Sequence, residues 1–157
     1  MLPHFSGAAT PYMDIGSKAA IIGLTLEHTR SDLYKAVMEG VTYEMMCNIK
    51  RLASYGVVPD RLYATGGGAG SSVWLQIKAD ILNLPIVPLT AAEVGACGTC
   101  MLCGVALGIY ENLEEAAKIF VKEGKPYYPD PVRREKYAKL FCAYEKIYPS
   151  VRPITEA

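Results

Sequence analysis

An α/β fold is what this chain of 157 residues predicts, and three observations carry that reading. Short apolar runs alternate with longer amphipathic stretches in the order strand, helix, strand, helix, strand, helix, a pattern that sets parallel strands under right-handed crossovers. The stretch from Arg61 to Asn83, RLYATGGGAGSSVWLQIKADILN, passes from an apolar run through glycines into an amphipathic pattern. Finally, 51% hydrophobic and 20% charged residues suit one globular domain with a substantial core.

Residues 2 to 18, LPHFSGAATPYMDIGSK, carry two prolines, two glycines and small polar residues, and read as a leading loop over 1–18. Ala19 to Leu26 is a short apolar run with β-branched residues, read as a strand buried on both faces. A helix follows from about Asp32 to Tyr55, with Thr29 or Ser31 to cap it and Gly56 to end it. Leu33, Val37, Val41, Met45, Ile49 and Leu52 recur at three- or four-residue steps as one apolar stripe. Glu39 and Glu44 lie on that helix. Each is either a solvated glutamate or a carboxylate able to orient a water or a metal ion.

Leu62 to Ala64 is the next strand, and the helix after the glycines begins at Ser71 or Ser72. Val73, Trp74, Ile77, Ile81 and Leu82 form its apolar face, with Gln76 and Lys78 directed elsewhere. Asp80 falls among the apolar positions, so it is either buried and hydrogen-bonded or turned toward a site. Pro85 to Leu89 reads as a further short strand at a boundary or edge. The uncharged run Val94 to Tyr110 reads as a buried helix, and Asn112 caps a short one from Leu113 to Val121. A proline-rich connection over 126–132 leads to a last helix, about Arg133 to Tyr148, with Tyr137, Leu140, Phe141, Tyr144 and Ile147 on one face. About three strands can be counted, fewer than the ~5–6 of an average sheet, so further strands are expected before Met1.

A glycine turn between strand and helix lets backbone N–H groups approach a phosphate without interference from Cβ atoms, and it points the positive end of the helix dipole at the same place. A tight connection without a ligand has the same local signature. The spacing is not the G-x-G-x-x-G of a dinucleotide site, and no acidic residue stands at a second strand end ~20 residues on.

Acidic and basic residues balance at 16 each, which argues against electrostatic capture of nucleic acid or of an anionic membrane. The run from Val94 to Tyr110 is shorter than the ~20 apolar residues that cross a bilayer. The residues after Met1 do not form a secretory leader, so a cytoplasmic location with reduced thiols is expected for the five cysteines. Cys97, Cys100 and Cys103 have the spacing of three iron–sulfur ligands, but a fourth would fall at Leu107. Their small-residue helical context favours packing instead, and no metal site is expected.

Four patterns stand in one order: LPHFSGAATP at 2–11, GLTLEHTRSDLYKAVMEGVTYE at 23–44, TGGGAGSSVWLQIKADILNLPI at 65–86 and EVGACGTCMLCGVALGIYENLEEA at 93–116. Together they resemble the C-terminal part of the FGGY family of carbohydrate kinases, most of all its xylulokinase branch. The resemblance covers nearly the whole chain. It implies a partial actin-like, ribonuclease H-like ATPase domain with extra C-terminal helices, truncated on its N-terminal side. It also implies phosphoryl transfer from ATP, with Mg2+, to a hydroxyl of an open-chain sugar, xylulose or a related ketose.

Carried over by position, Gly67, Gly68 and Ala69 match the family turn that lies against the nucleotide phosphates, and Ser72 matches the position that reaches adenine or its ribose. Asp80 and Glu93 match acidic positions that look structural or that support the residues around the nucleotide. The family's general-base aspartate and the Gly-Thr loop for the γ-phosphate have no counterpart here, and Asp14 stands in the wrong motif. No catalytic residue is therefore assigned, and the isolated chain is expected to be inactive. ATP or ADP is the expected partner, with the sugar held mainly by the absent N-terminal domain. Apolar area that such a domain would cover favours self-association as a homodimer. A non-catalytic nucleotide-binding or interaction module of the same ancestry is the alternative.

Overall fold

The computed structural model describes residues 1–90 and 93–155. Helix α1, Arg30–Ala53, is started by a capping box in which Thr29 Oγ1 accepts from the Asp32 N–H and the Asp32 carboxylate accepts from the Thr29 N–H. Gly56, at φ +82°, takes the left-handed conformation that turns the chain away past its end. The buried face of α1 is centred on Gly40, Thr42 and Tyr43, one step round from the predicted stripe. Val37 and Leu52 of that stripe are exposed. The helix turns this way because a Cβ at Gly40 would lie 2.5 Å from the Met1 carbonyl oxygen, so the leading segment rests directly on its backbone.

Strand β1, Leu62–Ala64, pairs in parallel with β2, Ile86–Pro88, placing Leu62 opposite Ile86 and Ala64 opposite Pro88. Helix α2, Ser72–Leu82, connects them and is almost wholly buried over its second half, from Leu75 through Ile77, Ala79, Asp80, Ile81 and Leu82. Asn83, at φ +54°, caps it in the left-handed region that asparagine tolerates. Further along β2, Ile86 exchanges both backbone hydrogen bonds with Tyr127, and the Gly124 N–H donates to the Pro88 carbonyl at 2.7 Å.

The third partner of this sheet is thus the segment around 122–127, and the predicted strand over Ala19 to Leu26 does not form. Only Ala20 pairs, with Leu2, and Ile21, Ile22, Leu24 and Leu26 are exposed. An isolated apolar run has nothing to satisfy its backbone groups as a strand, and no strand among the described residues lies beside it.

Helix α3, Val94–Ala106, and helix α4, Leu113–Phe120, pack on one another. The burial predicted for α3 is not seen: among its residues Gly104 is buried, held by the Tyr110 ring, while Leu102, Cys100 and Cys103 are exposed. Of the three thiols Cys97 is half-buried, and Cys100 and Cys103 face away from the rest of the described chain. Asn112 caps α4 as expected, accepting from the Glu115 N–H at 2.9 Å.

The last predicted helix is two. Helix α5, Pro131–Tyr144, has proline at its first position and Asp130 as its cap, and α6, Ile147–Thr155, follows. Leu140, expected in the core, is exposed. The core between α1 and α5 is aromatic, with the Tyr43 ring 4.9 Å from Tyr144, 5.8 Å from Phe141 and 6.5 Å from Tyr137 between centroids. Tyr137 donates its hydroxyl to Glu39 at 2.8 Å, and Tyr144 donates to Glu44.

Burial raises the pKa of Tyr43, Tyr137 and Tyr144 above the ordinary tyrosine value, and the neighbouring glutamates add to it. Folded values above unfolded ones mean that this stability is whole below about pH 10 and is lost as pH rises beyond it. Tyrosinate absorbance and helicity followed together should show these three rings ionising only as the helices melt. Ionisation of all eleven tyrosines near pH 10 with helicity intact would contradict the packing.

Candidate nucleotide-binding site

After β1 the chain reverses through Gly66, at φ +74°, a conformation that L side chains rarely adopt. A 3-10 turn over Gly67–Gly70 follows, closed by the Ala69 N–H donating to the Gly66 carbonyl at 2.9 Å. Ser71 is the cap of α2: its hydroxyl accepts from the Trp74 N–H at 3.3 Å, while the Ser72 side chain is exposed. The other N–H groups of a first helical turn have no intrahelical acceptor, which makes this end of α2 electropositive.

The glycines differ in what a side chain would meet. A Cβ at Gly66, Gly67 or Gly70 would find no atom within 4 Å, whereas one at Gly68 would lie 3.1 Å from the Trp74 ring and 3.8 Å from Lys78 Nζ. The turn is thus open on one side and rests on a tryptophan on the other. Trp74 is itself fixed to α1, its Nε1 donating to the Met38 carbonyl and to Thr42 Oγ1, each at 3.2 Å. Thr42 is fully buried and donates to the same carbonyl at 2.7 Å.

Lys78, expected off the apolar face of α2, lies beside the turn, with Nζ 4.4 Å above the Trp74 ring. Burial lowers its pKa. The four-residue step from Trp74 to Lys78 stacks the two side chains on one helix face, a signal available in the sequence.

The acidic candidates are committed elsewhere. Asp80 is buried and accepts from Gln76 Nε2 at 2.9 Å, the Asp130 N–H at 2.8 Å and Arg133 Nε at 2.6 Å. Its contribution is to tie α2 to the start of α5. Asp14 accepts from the Tyr148 hydroxyl at 2.8 Å and pairs with Arg152. Glu39 and Glu44 serve the tyrosine hydroxyls. Glu93 is exposed at the start of α3. Among the described residues no three histidine, cysteine or acidic side chains gather to hold a metal ion, and no helix is long and apolar enough to cross a membrane.

An open glycine turn at a capped helix start, behind a parallel strand pair, presents free backbone donors in an arrangement that can receive an anion. The model of the FGGY family of carbohydrate kinases, C-terminal domain, matches residues 1–107. The chain belongs to that family. It is 32% identical to a xylulose kinase of Bacillus subtilis over 155 residues, covering 99% of this chain and 31% of that protein. It is 33% identical to a glycerol kinase of Enterococcus faecalis over 137 residues, 87% of this chain and 27% of that one. A ligand-bound xylulose kinase from Lactobacillus acidophilus superimposes with a TM-score of 0.85 at 30% identity, over 96% of this chain and 31% of that one. The chain thus spans about a third of the length of these relatives. Its fold is part of the actin-like, ribonuclease H-like ATPase architecture, as the sequence resemblance implies.

Proposed function

We propose that this chain forms the nucleotide wall of an ATP-dependent carbohydrate kinase whose acceptor is xylulose or a related ketose, working in the cytoplasm. Gly67, Gly68 and Ala69 lie against the phosphates, and Ser72 reaches the adenine or its ribose. The observation that carries the reading is the open side of the turn: at Gly66, Gly67 and Gly70 a Cβ would enter empty space, where a phosphate can meet backbone donors. The acceptor is suggested by the xylulose kinases among the relatives. Acceptor choice is assigned to residues outside this chain, a reading supported by a glycerol kinase of comparable identity among the relatives.

In the reaction a sugar hydroxyl oxygen bonds to the γ-phosphorus, the bond to the ADP oxygen breaks, and the hydroxyl proton passes to a carboxylate. Mg2+, which the family implies, would neutralise charge on the nucleotide phosphates when bound. The residues of this chain supply none of the proton transfer. They hold the nucleotide with backbone donors and keep the turn rigid against Trp74. The isolated chain accordingly turns over no sugar.

The test is an ADP titration of the chain and of Gly67→Val. Valine at 67 has room and an ordinary φ, so the melting temperature should stay within about 2 °C while ADP affinity falls at least about tenfold, because its methyl groups occupy the approach of the phosphate. Equal affinity in the two proteins would remove the glycine turn from the site. Gly68→Val is the poorer choice, since it collides with Trp74. With ATP and a panel of pentoses and hexoses, the isolated chain should yield no sugar phosphate, and turnover would place a catalytic base inside it.

A further inference from the structure

We infer that Lys78 is a phosphate-binding residue of the nucleotide wall, its ammonium held ready on the indole face of Trp74 beside the glycine turn. This rests on the nucleotide reading of that turn and adds a charged side chain to its backbone donors. The argument begins from what surrounds the ammonium. Nζ stands 4.4 Å from the Trp74 ring and 3.8 Å from the point where a Gly68 Cβ would lie. Among the described residues it forms no ion pair and no hydrogen bond, whereas the other cation on α2's packed surroundings, Arg133, is taken up by Asp80 and Asp130. Lys78 is also half-buried, on a helix whose neighbours Ile77 and Ala79 are in the core.

A half-buried ammonium without a carboxylate is unfavourable by itself, and an aromatic face offsets only part of the lost hydration. An anion over the turn would supply the missing counter-charge. The side chain is suited to meet it: its three N–H donors stand on a flexible stem, 3.8 Å from where a Gly68 Cβ would lie, and can swing off the indole round the edge of the turn to an anion on its open side without moving the backbone. The indole cannot follow, being held by Met38 and Thr42, so it acts as a fixed rest for the lysine when no anion is bound. Adenosine lacks the phosphates and would leave Lys78 on the ring.

Trp74 is the single tryptophan of the chain, so its fluorescence reports directly on the lysine above it. Inorganic pyrophosphate, ADP and adenosine are titrated into the 157-residue chain, Lys78→Gln and Lys78→Arg, with fluorescence and calorimetry read together. Lys78→Gln should weaken ADP and pyrophosphate about ten- to hundredfold, as expected for one charge-assisted phosphate contact, and leave adenosine unchanged. Lys78→Arg should recover most of the loss, and raising the salt concentration should narrow the gap between wild type and Lys78→Gln. Unchanged ADP affinity in Lys78→Gln overturns the inference and leaves the nucleotide reading standing. An equal loss for ADP and adenosine also overturns it, by marking a structural role. A wild-type chain that binds none of the three overturns the nucleotide reading itself, and the inference with it.

Discussion

Replacing Asp80 with alanine should destabilise the chain by about 2–4 kcal/mol, the cost of losing charge-assisted hydrogen bonds and of leaving buried donors unpaired. Asp80 is 1% exposed, and its two oxygens accept from a side-chain amide, a backbone N–H and a guanidinium. Alanine removes every acceptor at once and orphans the Asp130 N–H at the mouth of α5. For a domain of this size the loss corresponds to roughly 4–16 °C in melting temperature. Arg133→Gln should cost less, because the guanidinium is half in solvent and Gln76 and the Asp130 N–H still hold the carboxylate. Thermal melts of the two variants therefore rank Asp80→Ala below Arg133→Gln, and the reverse order would show that the cation rather than the carboxylate organises the junction.

The second large effect is expected at Trp74. Truncation to alanine removes a partly buried indole, two hydrogen bonds to α1 and the rest on which Gly68 and Lys78 lie, for a loss of about 3 kcal/mol. Trp74→Phe keeps most of the packing and loses the indole N–H, at about 1 kcal/mol. The two variants separate stability from site geometry. Phenylalanine still supports Gly68, so ADP affinity should stay close to wild type in Trp74→Phe and fall in Trp74→Ala, measured well below both melting temperatures. Loss of affinity in both would mean that the α1 hydrogen bonds, not the ring under the glycine, set the turn.

Much of this was legible in the residues because the signals were local. The strand at Leu62, the helix after the glycines, and the caps Thr29 and Asn112 all follow from chemistry within a few positions. The run Ala19 to Leu26 misled because its composition states only that it prefers burial, and a strand also needs a neighbour, which no strand among the described residues provides. The α3 cysteines misled in the same way. Asp80 was narrowed to two roles, but its choice between them depended on Arg133, 53 residues away. Lys78 was missed because a helical wheel places it off the apolar face, whereas the folded turn bends back over Trp74 to meet it.

The hydrogen bonds that α5 and α6 make to the front of the chain also set a timetable. Tyr137 reaches Glu39 across 98 positions, Tyr144 reaches Glu44 across 100, and Tyr148 reaches Asp14 across 134. At a synthesis rate of about 5–20 residues per second, α1 waits on the order of 5–20 s after translation before its aromatic partners exist. During that interval Tyr43 and the carboxylates of Glu39 and Glu44 stand in water, and α2 with its glycine turn is assembled against a helix still missing its other side. The surroundings of the glycine turn are therefore completed only when α5 and α6 arrive, so the helices that follow residue 130 commit the fold of a segment made well before them.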